Sequence, residues 1–168
     1  MPSAKPGRLG YSLLMEGETE PEAARRASRE RYELHCATFS SIEGVASLAA
    51  LYGSFPSFHD SEVLDLKLSR SGTSVLRISD PYPDIFGANR LIVSFEIEDL
   101  IDLEIDGFSP PNVLFGLYVT PLQPDPAREP YYARPRKDGD RRIELEPTVG
   151  IGGTLVCGGL KVTWEREE

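Results

Sequence analysis

The stretch "PSFHDSEV", residues 56 to 63, places His59, Asp60 and Glu62 within fewer than two helical turns. An imidazole beside carboxylates can hold a divalent cation through nitrogen and oxygen ligands, or move a proton as an acid/base pair. A hydrolase built on adjacent His-Asp ligands needs further histidines, on a helical scaffold, to fill the coordination sphere. Only His35 is present besides His59. The competing reading is a structural corner. Phe55, Pro56 and Phe58 would anchor it in the core, with Pro56 keeping Phe55 extended. Asp60 or Ser61 would bond free backbone groups where helix gives way to strand, and His59 would bridge the turn. The residues favour the corner, and a metal-dependent hydrolase using His59, Asp60 and Glu62 stands as the alternative.

Other chemistries find less support. "VGIGGTLVCGG", residues 149 to 159, lacks the Gly-Lys-Ser/Thr of a phosphate loop. Leu155 stands where a dinucleotide fingerprint needs its third glycine, and strand residues stand where a helix should begin. Gly150, Gly152 and Gly153 read as a turn, and Gly158-Gly159 as a bulge or hairpin. No Gly-x-Ser-x-Gly elbow occurs, and Ser57, His59 and Asp60 are too close in sequence for a triad. Cys157, in an apolar strand, reads as core rather than nucleophile. Cys36 and Cys157 form neither a disulfide framework nor a metal-ligand spacing. No cofactor and no metal is expected.

The most distinctive feature is "FEIEDLIDLEIDGF". Glu96 and Glu98 alternate with Phe95 and Ile97, and Asp102, Glu104 and Asp106 alternate with Ile101, Leu103 and Ile105. Alternation sends each carboxylate set to one strand face. If the two runs pair, one sheet face carries a field of carboxylates with no Lys or Arg between residues 96 and 106. Like charges across paired strands are destabilising, so this surface invites cations. It reads either as a docking face for a basic protein or as a solvated face that blocks edge aggregation.

Charge distribution sharpens that contrast. The chain of 168 residues has net charge −9. Residues 41 to 122 hold four basic against twelve acidic groups, and so carry −8 of it. Such a field opposes nucleic-acid binding and favours a basic partner through steering. There is no apolar run long enough to span a membrane, and the N-terminus lacks a secretory hydrophobic region. A reduced, cytoplasmic protein is expected.

The elements that must position these residues follow from periodicity. "TEPE" at 19 to 22 reads as a capping box opening a helix through "AARRASRERYELHC". Ser40 or Ser41 would cap a second helix, "SIEGVASLAALYG", whose Ile42, Val45, Leu48 and Leu51 pack on a sheet. The period then changes to two: Leu64, Leu66 and Leu68 alternate with Asp65 and Lys67, "SRSG" turns, and Leu76 and Ile78 continue. "DPYPDIFGAN" reads as a loop. Further strands follow at 91 to 97, 101 to 105, "NVLFGLYVTPL", "RIELEP" and "TLVCGGLKVTWERE". The expectation is one α+β domain over residues 21 to 168, after a flexible extension at 1 to 20. In it two N-terminal helices pack on a mainly antiparallel sheet of about six to eight strands. Residues 123 to 142, rich in Pro and Arg, read as a long exposed hairpin loop with solvated basic groups.

"YGSFPSFHDSEVLDLKLSR", "LIVSFEIEDLIDLEIDGFSPPNVLFGLYV" and "RIELEPTVGIGGTLVCGGLKV" together resemble the immunity protein 50 family, which is associated with bacterial polymorphic toxin systems. The shared pattern is an aromatic-Pro-x-Phe-His-Asp-x-Glu-Val corner, a Phe-centred strand, a Gly-Phe turn leading to Asn-Val, and a glycine-bearing final hairpin. It covers roughly residues 50 to 163, about two-thirds of the chain. Ser109-Pro110-Pro111 stands where a more polar turn is expected, and the first forty residues and the 123 to 142 segment are additions. The resemblance carries no catalytic residue; Phe58, His59, Asp60, Glu62 and Asn112 match as motif positions of structural character. It implies a non-enzymatic protein that binds and neutralises a cognate toxin made by the same cell, and the acidic face makes a basic toxin the expected partner. The binding candidates are then Glu96, Glu98, Asp102, Glu104 and Asp106. A stand-alone structural or adaptor domain is the remaining alternative.

Overall fold

The computed structural model describes residues 19–81 and 90–167. The expected extension at 1 to 20 therefore lies, but for Thr19 and Glu20, outside the described residues, as does most of the "DPYPDIFGAN" loop. Among the described residues the fold is α+β, with two α-helices preceding six antiparallel strands.

Helix α1 (Glu20–Phe39) begins as the capping box predicts: the Glu22 carboxylate accepts the Thr19 backbone N–H at 3.0 Å. Most of α1 is solvated, but His35 and Phe39, one turn apart, are fully buried. Helix α2 (Val45–Tyr52) starts later than the sequence suggests. Ser40 and Ser41 bond carbonyls of the preceding turn, and Gly44 takes the N-cap position at φ 88°. A Cβ there would lie 1.7 Å from the Val162 carbonyl oxygen, so the chain can approach the sheet only through glycine. The contact lets the Val162 N–H donate to Glu43 O at 2.9 Å. Gly53, at φ 72°, ends α2 as predicted.

The strands are β1 (Glu62–Lys67), β2 (Ser74–Asp80), β3 (Leu91–Asp106), β4 (Val113–Pro121), β5 (Arg141–Val149) and β6 (Gly152–Arg166). They close into a barrel in the order β1-β2-β3-β6-β5-β4. Two details depart from the sequence pattern. In β1 the register shifts between Val63 and Asp65, so Val63 and Leu66 face the core while Leu64 and Leu68 are exposed. The runs at 91 to 97 and 101 to 105 do not pair with each other. They are one strand, β3, laid along β6 from Leu91↔Arg166 to Asp106↔Gly152, with a bulge between Leu100 and Asp102.

The core joins barrel to helices. Phe39 of α1, Phe58 of the corner and Phe95 of β3 meet with ring centroids 5.5 to 6.3 Å apart. Ile42, Val45, Leu48, Leu76, Ile78, Ile97, Leu117, Ile143 and Leu155 fill in around them.

Closure of the barrel is the unusual step. β1 and β4 share one laddered pair, Glu62↔Val113. The rest of that β4 edge is completed by the corner and by His35. The Asp60 N–H donates to Leu114 O (3.0 Å), Leu114 N–H to Ser61 O (2.9 Å), and Leu117 N–H to Ser57 O (3.0 Å). One step further along, the Val119 N–H donates to His35 Nδ1 at 2.9 Å, while His35 Nε2 donates to Pro56 O at 3.2 Å. An imidazole with Nδ1 accepting and Nε2 donating is neutral. Burial pushes its pKa below the ordinary 6.5, outweighing the two backbone hydrogen bonds.

A depressed histidine pKa means that the unfolded chain takes up the proton first as pH falls. The contribution of neutral His35 is complete above about pH 6.5 and is lost as pH drops toward its folded value. Urea unfolding at a series of pH values should show wild type losing stability from pH 7 to 5, with a shallower slope in His35→Gln. His35→Ala, which strands a buried N–H, should cost about 1–3 kcal/mol at pH 7.

Candidate partner-binding surface

Phe58 and Asp60 have φ of 58° and 64°, left-handed values rare for residues with a side chain. The two reversals turn Phe58 inward, where it is 2% exposed, and leave His59 and Asp60 outside. His59 Nδ1 lies 3.0 Å from Asp60 Oδ2, and its ring meets Phe115 edge-on at 5.1 Å. It does not bridge the turn. The predicted side-chain bonds from Asp60 and Ser61 to the backbone are replaced by backbone bonds, and Ser61 Oγ has no partner among the described residues. Glu62 opens β1, half-buried, opposite Ser79 and Val113. Among the described residues no three His, Cys, Asp or Glu side chains converge as a metal site.

Asn112 has a clear structural role. Its Oδ1 accepts the Ser109 N–H at 2.9 Å and the Ile151 N–H at 3.1 Å, locking the β3–β4 turn to the β5–β6 turn. Of the three glycines read as a turn, Gly150 makes it at φ 85°, while Gly152 and Gly153 open β6 opposite Asp106 and Ile105; Cys157 is core, its thiol pushed up to about 12 by burial.

The carboxylates of β3 sit differently from the paired field expected. Because β3 is continuous, they run in file along its outer face, and their cross-strand neighbours are Lys161, Gly159, Val156, Thr154 and Gly152 of β6. The bulge also turns Ile101 outward, where it packs with Leu122, Val156 and Tyr132 instead of the main core. That small apolar cluster seats the 123 to 142 segment on the barrel. The segment is the largely exposed hairpin connection between β4 and β5 that the sequence suggests, but two of its basic groups are not left to solvent. Arg128 Nη2 lies 2.6 Å from Asp102 Oδ2 and Nη1 lies 3.2 Å from Glu104 Oε2. Arg134 reaches Asp99 at 2.6 Å and the buried Asp140 at 2.8 Å. Its guanidinium rests over Gly158, where a Cβ would lie 2.6 Å from Nη2 and 2.5 Å from Asp99 Oδ2. Gly158, on β6 between the partners of Glu98 and Leu100, is thus the seat of an ion pair.

The five binding candidates divide accordingly. Asp102 is only 14% exposed and Glu104 68%, both held by Arg128. Glu96, Glu98 and Asp106 have no ion pair among the described residues. Lys161, opposite Glu96, bonds Glu43 Oε1 at 3.0 Å, which with the nearby Glu96 and Glu98 raises its pKa.

A cleft of about 550 Å³ crosses the outer barrel face beside this segment. Two cross-strand rows supply its lining from the barrel, Thr120–Arg142–Val156–Asp102 and Glu144–Thr154–Glu104. Arg31 of α1 lines it too, bonded to Glu146 at 2.7 Å and set 4.1 Å over the Tyr118 ring. Arg31 and Arg128 are committed to carboxylates, while Arg142 lines the cleft without an ion pair among the described residues.

Sequence reasoning missed His35, Arg128 and Arg134. Tyr32, His35 and Phe39 do recur at helical spacing, which marks His35 as inward-facing. The two arginines had a weaker signal: a basic segment in the same chain as an acidic run without its own cations.

Arg134 holds the Asp140 carboxyl below its ordinary 3.8. A lowered acid pKa contributes stability above the unfolded value that is lost as pH falls through the folded one. Arg134→Ala should cost about 2–3 kcal/mol at pH 7, and the gap to wild type should narrow below about pH 4, as acid-titrated thermal melts will show. Comparison of the chain with protein-family models, curated proteins and solved structures gives no match in any of the three.

Proposed function

We propose that this is an immunity-type protein: it binds a basic toxin of its own cell in the cytoplasm and blocks it by covering its surface, without catalysis. The observation that carries the reading is the file of carboxylates on the outer face of β3. Glu96, Glu98 and Asp106 remain without ion pairs among the described residues, while Arg128 and Arg134 pair with Asp102, Glu104 and Asp99, and Lys161, opposite Glu96, bonds Glu43.

The net charge of −9 gives long-range attraction to a cationic protein, and the unpaired carboxylates give it a local destination. The resemblance of the corner and the Asn112 turn to the immunity protein 50 family supports the same class of function. Among the described residues no helix is long and apolar enough to cross a membrane.

Glu96 and Glu98 test the idea better than Asp102, whose replacement would also release Arg128. Glu96→Lys with Glu98→Lys should weaken capture of the cognate toxin roughly 10–100-fold, mainly through slower association, and flatten its dependence on salt. Surface plasmon resonance over a salt series measures both. Unchanged affinity and salt slope would remove the β3 face as the interface.

A further inference from the structure

A second feature lies at the end of the barrel where the corner and the two locked turns meet. Phe108 is 63% exposed at the β3–β4 turn, and Phe115 is 49% exposed on β4 with its ring against His59. Val149, also exposed, ends β5 opposite Val113. Single exposed aromatics are common, but these are presented by unusually constrained backbone. Asn112 bonds across both turns, Gly107 takes φ 68°, and Phe58 and Asp60 hold left-handed conformations beside Phe115. Backbone strain held in place by its surroundings at a surface that displays large apolar rings is a preorganised arrangement.

The corner and the two turns carry formal charge of one sign. Residues 54–64, 105–118 and 147–153 contain no Lys or Arg, and Arg31 of α1, which lies over Tyr118, is bonded to Glu146. These three stretches contain three carboxylates: Asp60, Glu62 and Asp106. Asp60 and Asp106 are exposed and Glu62 is half-buried. Arg128 and Arg134 bond Asp102, Glu104, Asp99 and Asp140, so they neutralise the middle of β3 and none of these three. A cation set over an aromatic face and flanked by carboxylates gains from both.

We infer that Phe108 and Phe115, with Asp60, Glu62 and Asp106 on the same corner and turns, form the anchoring surface for a basic protein partner, a deeper account that rests on the immunity reading above. On this account the β3 carboxylates steer the partner, while the aromatic end of the barrel holds it. The partner contributes arginine or lysine side chains that lie across the rings and reach the flanking carboxylates. Energy concentrated in a few aromatic anchors inside a polar rim is the usual anatomy of such contacts.

The experiment uses the full chain as bait for the protein encoded beside its own gene, with binding kinetics followed over a salt series. Wild type is compared with Phe108→Ala, with Phe108→Ala/Phe115→Ala, and with the β3 charge-reversal pair. Phe108 lies outside the strands, so its variant should melt with wild type and separates binding from folding. The double variant should lose about thirtyfold or more in affinity, chiefly through faster dissociation, with the salt slope retained. Phe108→Ala alone should lose several-fold. Capture by wild type that both aromatic variants match in affinity would overturn the anchoring surface and leave the immunity reading standing. Failure of wild type to capture the protein at any salt would overturn that reading and this surface with it. Light scattering in the same buffers covers one other occupant: a dimer that becomes monomeric in Phe108→Ala/Phe115→Ala would assign the platform to a second copy of this chain and overturn the partner.

Discussion

The architecture depends on how the β4 edge is satisfied where β1 stops short of it. A barrel has no open edge only if every strand finds a neighbour on both sides, and unpaired backbone groups inside a protein are costly. Here one ladder pair, Glu62↔Val113, begins the seam and irregular backbone finishes it. The corner supplies carbonyls from Ser57 and Ser61, and a histidine ring substitutes for a strand at Val119. The left-handed residues Phe58 and Asp60 follow from this requirement. The chain must leave α2, place Phe58 in the core, offer main-chain groups to β4 and enter β1, all within a few residues. His35 fits the same logic, since its two nitrogens link β4 to Pro56 and so couple α1 to the seam.

Electrostatics are organised by the same barrel. An uninterrupted acidic strand would be a liability if it repelled itself, but antiparallel neighbours space the charges along β3 and put small or apolar residues of β6 beside most of them. The 123 to 142 segment then returns its own arginines to the middle of the strand. Arg134 is held between Asp99 and Asp140 over Gly158, and Arg128 spans Asp102 and Glu104. The β3 bulge makes this possible, because it turns Ile101 outward to form the small apolar seat with Leu122, Val156 and Tyr132. Charge that looks available in the sequence is thereby divided into a structural share and an exposed share.

The amino-acid sequence by itself determined the class of fold, the α1 cap, the Gly53 stop and most strand positions. Those features are local: a capping box, a period of two or a helical stripe acts within a few residues, so the pattern that causes it is visible where it occurs. The tertiary structure alone decided that two acidic runs are one bulged strand, that the sheet closes, that His35 completes an edge, and that Arg128 and Arg134 are spent on β3. Each of these joins residues far apart in the chain; Val119 and His35, for instance, are 84 positions apart. Alternation tells which face a side chain takes but not which strand lies beside it, and one inserted residue at Ile101 reverses that face. Pairing partners are chosen by the closed barrel as a whole, and with them the fate of every carboxylate on β3.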